Sequence, residues 1–352
     1  MFKVAVKEEL ERMREILDTK GDKMLFTHRD ADGICSGALL LKFFPDFECV
    51  IREGPRIEDE LVEEIIDKAP KAIVFLDLPV DQEHKKMEEI EKALPDTKIL
   101  IVDHHIPEKN LSNGNVMHIN PMFRENVYLP ASFLVYQILE GMKLEVKKYI
   151  WISCIGVIGD YGFEDCKELI ETCRKDYPEL LFGHPLMSKM GQGAQLISAA
   201  ITLKGQPGAK KALRALVRAD EFDDFAMDRE IISWFDTVRK EINRILLDFD
   251  ENKDVNREKG VIIYELKSRL NIASVISTIL AQQNQDDVII IRKETPRGEW
   301  KLSMRDQKGR VNLGQLTKKA VKGIGSGGGH EKAAGALVTD WEKFKKRLIS
   351  GI

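Results

Sequence analysis

The sequence predicts an α/β protein: an N-terminal parallel sheet covered by helices, a helical connector, and a smaller C-terminal α/β domain with a mixed sheet. Three observations carry this prediction. From Lys23 to about Asp160, short apolar runs alternate with amphipathic helical stretches, the pattern of parallel strands buried on both faces by crossover helices. From about Trp151 to Asp250 the pattern is helical throughout, with turn signals at FGHP and KGQPGAK. DFDENKDVNREKG, residues 248–260, is polar and charged and gives way to new strand-like runs. The expected division is therefore 1–162, 163–258 and 259–352.

The elements follow in order. MFKVAVKEELERMREIL reads as a charged amphipathic helix and not as a signal peptide. KMLFT is a strand followed by the helix SGALLLKFF, FECVI a strand followed by IEDELVEEIIDKA, and KAIVFLD a strand followed by HKKMEEIEKAL. KILIV is the next strand, and ASFLVYQILEGM the next helix. In REIISWFDTVRKEINRILLDF, Ile232, Phe235, Val238, Ile242 and Ile245 recur at helical spacing and mark a packed face. Beyond the boundary, GVIIYELK, a helix from about Ile272, and DDVIIIRK with EWKLSMRD around a PRG turn predict the second domain.

Composition excludes several classes. At 352 residues the chain has room for about two domains, and 43% hydrophobic with 32% charged residues is a globular balance. A net charge of −4 advertises no global basic field, although a local basic groove is compatible with it. The five cysteines, Cys35, Cys49, Cys154, Cys166 and Cys173, form no CxxC pair and no zinc spacing; reduced thiols in a cytoplasmic protein are expected. No apolar run approaches the roughly 20 residues of a membrane span, so no membrane partner is expected.

Acidic and imidazole groups fall at corresponding places. Asp30 and Asp32, with His28 beside them, follow the strand KMLFT; Asp77 ends KAIVFLD; Asp103, His104 and His105 end KILIVDHH; Asp160 closes WISCIGVIGD. The C-terminal ends of parallel strands share one edge of an open sheet, where ligands bind. A lone aspartate at a strand end is ordinarily a turn or a cap. So many carboxylates at one edge repel one another unless cations lie between them. Oxygen and imidazole donors without thiolate suit manganese better than calcium, and this many donors suit two ions, with Asp77 the candidate bridge. Such a pair assists phosphoester hydrolysis. Near the C-terminus, GIGSGGGHEKAAG (residues 323–335) follows a helix-like stretch and lacks a Walker lysine. It is expected to form a phosphate nest, with His330 at the start of a helix through EKAAG.

Together HRDADG, the Asp77 strand end, DHH at 103–105, Asp160 and the late GGGH resemble the DHH phosphoesterases with a C-terminal DHHA1 domain, over about Lys23 to Asp340. The resemblance implies a DHH domain holding two Mn2+ ions, with Mg2+ or Co2+ as substitutes, and substrate gripped between it and the DHHA1 domain. It implies metal ligation by Asp30, Asp32, Asp77, His104, His105 and Asp160, with catalytic roles for Asp103, His104 and His105. Asp103 looks like the carboxylate that orients an imidazole. His28, a further candidate ligand, stands two residues before Asp30, where several relatives place this histidine four before. SMRD resembles the family's serine-x-arginine element and nominates Arg305. Gly327, Gly328, Gly329 and His330 match the phosphate-binding GGGH, with Asn312 nearby.

Within the family, the GGGH ending disfavours a pyrophosphatase, and the chain has no room for the extra oligonucleotide-binding domain of bacterial RecJ. It resembles the archaeal RecJ-like single-strand exonucleases, or the nano-RNases that degrade short oligonucleotides. The expected partner is single-stranded DNA or RNA, degraded 3′→5′. A nano-RNase, cyclic-dinucleotide or 3′-phosphoadenosine 5′-phosphate phosphoesterase is the alternative. A third reading is a scaffold for replication or repair proteins, but scaffolds of this family lose ligands that this chain keeps. The helical segment from about Glu164 to Asp250, longer than a plain linker, is where a strand channel or a docked replication or repair protein is expected. Oligomeric state is not expressed in the sequence.

Overall fold

Leu25 and Phe26 are neighbours on one strand, yet they belong to different apolar cores. In the computed structural model, which describes residues 6–125 and 127–352, the chain forms two compact units, Met1–Phe235 and Asp236–Ile352. The first runs α1 (Lys7–Leu17), β1 (Lys23–His28), α2 (Ala31–Phe43), β2 (Phe47–Arg52), α3 (Asp59–Lys68), β3 (Ala72–Leu76), α4 (His84–Ala93), β4 (Lys98–Val102) and β5 (Val116–Ile119). It continues through α5 (Ala131–Gly141), α6 (Ile150–Gly159), α7 (Lys167–Asp176), α8 (Lys189–Lys204), α9 (Gln206–Arg218), α10 (Phe222–Ala226) and the start of α11 (Arg229–Asn252). Residues 1–5, at the head of the expected N-terminal helix, lie outside the described residues.

The five strands are parallel, in the order β2-β1-β3-β4-β5. Successive side chains point to opposite faces. Leu25, Val74, Leu100 and Met117 join the core shared with α1, α2, α5 and α6, while Phe26, Phe75 and Ile101 face α3 and α4. Phe26 and Phe75 stack with centroids 5.0 Å apart, and burying each phenyl ring contributes about 1.5–3 kcal/mol. The helical segment is part of this body: Leu169, Leu196, Leu213 and Phe225 share the first core with the sheet.

The second unit contains the rest of α11, then β6 (Asp254–Asn256), β7 (Val261–Glu265), α12 (Ala273–Gln283), β8 (Val288–Glu294), β9 (Trp300–Asp306), α13 (Leu313–Ala320), β10 (Gly325–Gly329), β11 (Ala333–Val338) and α14 (Trp341–Ile349). Its sheet, β10-β11-β9-β8-β7-β6, is mixed: β7 and β8 are parallel and the other pairs antiparallel. The PRG turn joins β8 to β9 as a hairpin. Along α11 the buried side chains are Ile231, Val238, Ile245 and Phe249, with Ile232, Phe235 and Ile242 half-buried.

One expectation fails. The stretch EKAAG is not helical: Ala333–Val338 is strand β11, and the glycine-rich run is its edge partner β10. Pairing of Ala334 with Met304 and Ala336 with Leu302 seats small residues over the sheet, and tertiary pairing outweighs alanine's helix propensity. The nest-plus-helix arrangement is replaced by an exposed glycine edge strand.

Candidate metal centre

The chain segments that follow β1, β3 and β4 at the C-terminal edge of the first sheet carry acidic groups, and local backbone chemistry aims them. Asp30 caps α2, accepting a hydrogen bond from Gly33 N (2.9 Å). A Cβ at Gly33 would lie 2.7 Å from the His28 carbonyl carbon, so the turn requires glycine. Asp32, buried in the first turn of α2, accepts from the backbone N of Ala131 (2.6 Å) and Ser132 (3.0 Å) and from the Ser132 hydroxyl. The N-terminus of α5 thereby fixes it, as helix dipoles favour. Asp77 follows β3 in a left-handed conformation, φ 57°, with its N–H on Val102 O (3.0 Å) and its carboxylate buried.

His28 Nδ1 lies 2.9 Å from Asp30 Oδ2 and 3.2 Å from Asp77 Oδ2. From the other side, His104 Nε2 lies 3.1 Å from Asp77 Oδ1 and 3.7 Å from Asp160 Oδ2. Asp103, fully buried, holds His105 Nδ1 at 2.8 Å and accepts its backbone N–H at 3.2 Å, and Asn120 Nδ2 donates to His105 O (2.9 Å). Asp160, at the C-terminal end of α6, accepts a short hydrogen bond from the Tyr128 hydroxyl. The Tyr128 ring meets His104 edge-on, centroids 4.8 Å apart. His28, Asp30, Asp32, Asp77, His104, His105 and Asp160 thus meet at one sheet edge, with Asp103 behind them.

Three triads present donor atoms within 4.8 Å of one another: Asp77 with His104 and His105, His28 with Asp30 and Asp77, and Asp32 with His104 and Asp160. The electrostatics call for positive charge. Burial, reinforced by the Asp30 charge, pushes Asp77 well above the carboxylate range. Burial and the Asp32 charge push Asp160 up to about 8. Burial alone would lower His28, but hydrogen bonds to Asp30 and Asp77 carry its imidazole up to about 11. Burial likewise opposes a proton on His105, and Asp103 outweighs it. Among the described residues, His104 Nδ1 is buried with no hydrogen-bond partner. A crowded set of oxygen and imidazole donors, in which buried carboxylates raise one another's proton affinity, fits divalent first-row ions.

Tyr128 and Ser132 were not singled out in the sequence. Tyr128 carries no motif, and Ser132 reads there as an ordinary residue at a helix start.

In the second unit, Arg305 on β9 donates to Ser274 Oγ (2.9 Å) and to Met304 O (2.9 Å), and pairs across the ladder with Ala333. Asn312 caps α13, accepting from Gln315 N (2.9 Å). His330 N donates to Ala333 O (2.8 Å), and Gly314 N to His330 O (2.9 Å). Arg305, Asn312, Gly329 and His330 therefore share one end of this sheet, and Gly327 and Gly328 line its exposed edge.

A parallel sheet whose strand ends gather these aspartates and histidines, followed by a mixed-sheet unit ending in GGGH, defines a metal-dependent phosphoesterase. The chain belongs to the DHH family: residues 24–157 match the DHH family N-terminal domain and residues 258–349 the DHHA1 domain. Its fold is shared with the exonuclease RecJ bound to manganese, at 17% identity and TM-score 0.71, over 99% of this chain and 94% of that one. RecJ from Thermus thermophilus in complex with Mn2+ is similar at 18% identity and TM-score 0.72, over 97% of this chain but 54% of that one. A pGpG-specific phosphodiesterase from Vibrio cholerae is 15% identical with TM-score 0.54, over 94% of this chain and 98% of that one. No curated protein matches the chain in sequence.

Among the described residues no helix is long and apolar enough to cross a membrane.

Proposed function

We propose that the chain is a manganese-dependent exonuclease of the cytoplasm that releases nucleotides from single-stranded DNA or RNA, working 3′→5′. The observation that carries this reading is the place of Asp77, which belongs to two donor triads at once. A carboxylate shared in this way suits a pair of ions. His28 and Asp30 would complete one position with Asp77, and Asp32, His104, His105 and Asp160 would supply the donors of the other. Mg2+ or Co2+ would substitute for manganese. Bound there, two divalent ions would withdraw charge from the phosphoryl oxygens and make water acidic enough to attack near neutral pH. Asp103 keeps His105 in the tautomer whose Nε2 is free to accept. Residues 1–162 act as the catalytic part and 259–352 as the substrate-binding part. In the latter, the Arg305 fork suits phosphate oxygens, and the glycine edge at 327–329, flanked by His330 and Asn312, lets backbone N–H groups approach an anion.

Cleavage of dinucleotides, cyclic dinucleotides or 3′-phosphoadenosine 5′-phosphate is the second reading, supported by likeness to the pGpG-specific enzyme along almost its whole length. A time course on a single-stranded oligonucleotide with distinct 5′ and 3′ labels, run with manganese or chelator beside the small substrates, separates the two. A manganese-dependent ladder that sheds the 3′ label first is expected. Asp77→Asn should lower the rate at least about 100-fold while keeping a cooperative melt. Turnover of the small substrates alone would select the second reading, and an undiminished Asp77→Asn would overturn the metal assignment.

A further inference from the structure

The two edges of the parallel sheet are finished differently. Along β5 the outward backbone groups are occupied: Asn113 Oδ1 accepts from Val116 N (2.9 Å), Arg12 Nη2 donates to Val116 O (3.1 Å), and Ser112 Oγ accepts from His118 N (3.1 Å). An edge closed by side chains resists strand addition. Along β2, Gln206 Nε2 donates to Ile51 O (2.6 Å), so the Ile51 backbone faces away from β1. By the two-residue repeat, the Cys49 and Phe47 backbones face the same way.

Helix α9 runs beside this edge, with Gln206 against Ile51 and Arg218 toward the Phe47 end, and a groove of about 360 Å³ lies between them. Its floor is apolar, built from Phe47, Cys49 and Ile51, and its rim carries Lys210, Arg214 and Arg218. All three cations are exposed. Among the described residues, none has an acidic side chain within ion-pair distance. Like charges four residues apart repel on a helix, so the helix alone does not favour this stripe in a chain of net charge −4.

We infer that this groove receives an extended acidic peptide of a partner protein, added alongside β2 with alternate Asp or Glu side chains against Lys210, Arg214 and Arg218. The spacings agree: four helical residues advance about 6 Å, and two strand residues about 6.7 Å. The outward backbone groups of Phe47 and Cys49, beyond the Ile51 carbonyl held by Gln206, and the apolar floor pair with a peptide strand. A nucleic-acid strand would call for exposed aromatic rings to stack on, and the one ring in the floor, Phe47, is buried.

Cys49 reports on the groove, because it is half-buried while the other four cysteines are buried. A labelled peptide alternating glutamate and valine should bind at low salt and slow the modification of Cys49 by a maleimide. Affinity should fall at least about tenfold in the triple variant K210E/R214E/R218E, and equally when alternate peptide nitrogens are methylated. Metal-dependent hydrolysis by that variant should match the parent, since the three residues lie outside the metal centre. Full binding of the methylated peptide would reduce the interaction to charge attraction. Protection of Cys49 by a single-stranded oligonucleotide at equal concentration would make the groove a nucleic-acid track. Either result, or no binding at all, overturns the proposal.

Discussion

At Asp77 the chain accepts a left-handed backbone, φ 57°, a conformation that costs a non-glycine residue about 1–3 kcal/mol. The turn points one carboxylate at His28 and at His104 together. Tyr128 acts on the same cluster from outside, its hydroxyl on Asp160 and its ring against His104. Removing the hydroxyl frees the Asp160 carboxylate to rotate. Tyr128→Phe should therefore weaken manganese binding by about 10-fold, the lower end for residues that orient ligands. Manganese titration followed by thermal shift reads this directly, and an unchanged midpoint would leave Tyr128 without a role in orienting Asp160. Aspartates and histidines at strand ends were legible because strand polarity alone gathers them. Tyr128 was not, since only folding brings a residue of the segment before α5 against the end of α6.

Between α5 and α6 the approach is close enough to constrain a single position. A Cβ at Gly156 would lie 2.7 Å from Ser132 Cβ and 3.0 Å from Asp32 Oδ1. Gly156→Ala must push α6 away or displace the Ser132–Asp32 pair. Overpacking of this kind should lower stability by about 1–3 kcal/mol and weaken manganese binding as well, measured by denaturant melts and metal titration. A loss of stability with metal affinity intact would show that the helices, and not Asp32, absorb the strain. β1, β3, β4 and β8 were legible because burial on both faces gives each a continuous apolar stretch, MLF, AIVFL, ILIV and VIII, with polar residues only towards the strand ends. Strand β5 was missed: Val116–Ile119 is short and has a histidine inside it. The second unit's β10–β11 hairpin was misread because Gly325–Gly329 has no side chains to show a period, and Ala333–Ala336 favours helix until it is paired.

The charge cluster sets a property of the whole molecule, the dependence of its stability on pH. Asp160 titrates at about 8 in the folded protein against about 3.9 unfolded. Its contribution is therefore complete below about pH 4 and is lost as pH rises through 8. His28, raised to about 11 from an unfolded value of about 6.5, loses its contribution in the same direction above neutrality. Between pH 6 and pH 9 the metal-free fold thus holds more protons than the unfolded chain, and its melting temperature should fall as pH rises. Divalent ions require those same groups deprotonated. Manganese should bind more tightly as pH rises, and its stabilisation, about 2.7 kcal/mol at a hundredfold excess over Kd, should grow across that window. Melts at fixed manganese and in chelator, taken from pH 6 to 9, test both slopes. Parallel curves would mean that the protons on Asp160 and His28 are not those the metal displaces, and the carboxylate–imidazole cluster would lose its electrostatic rationale as a cation site.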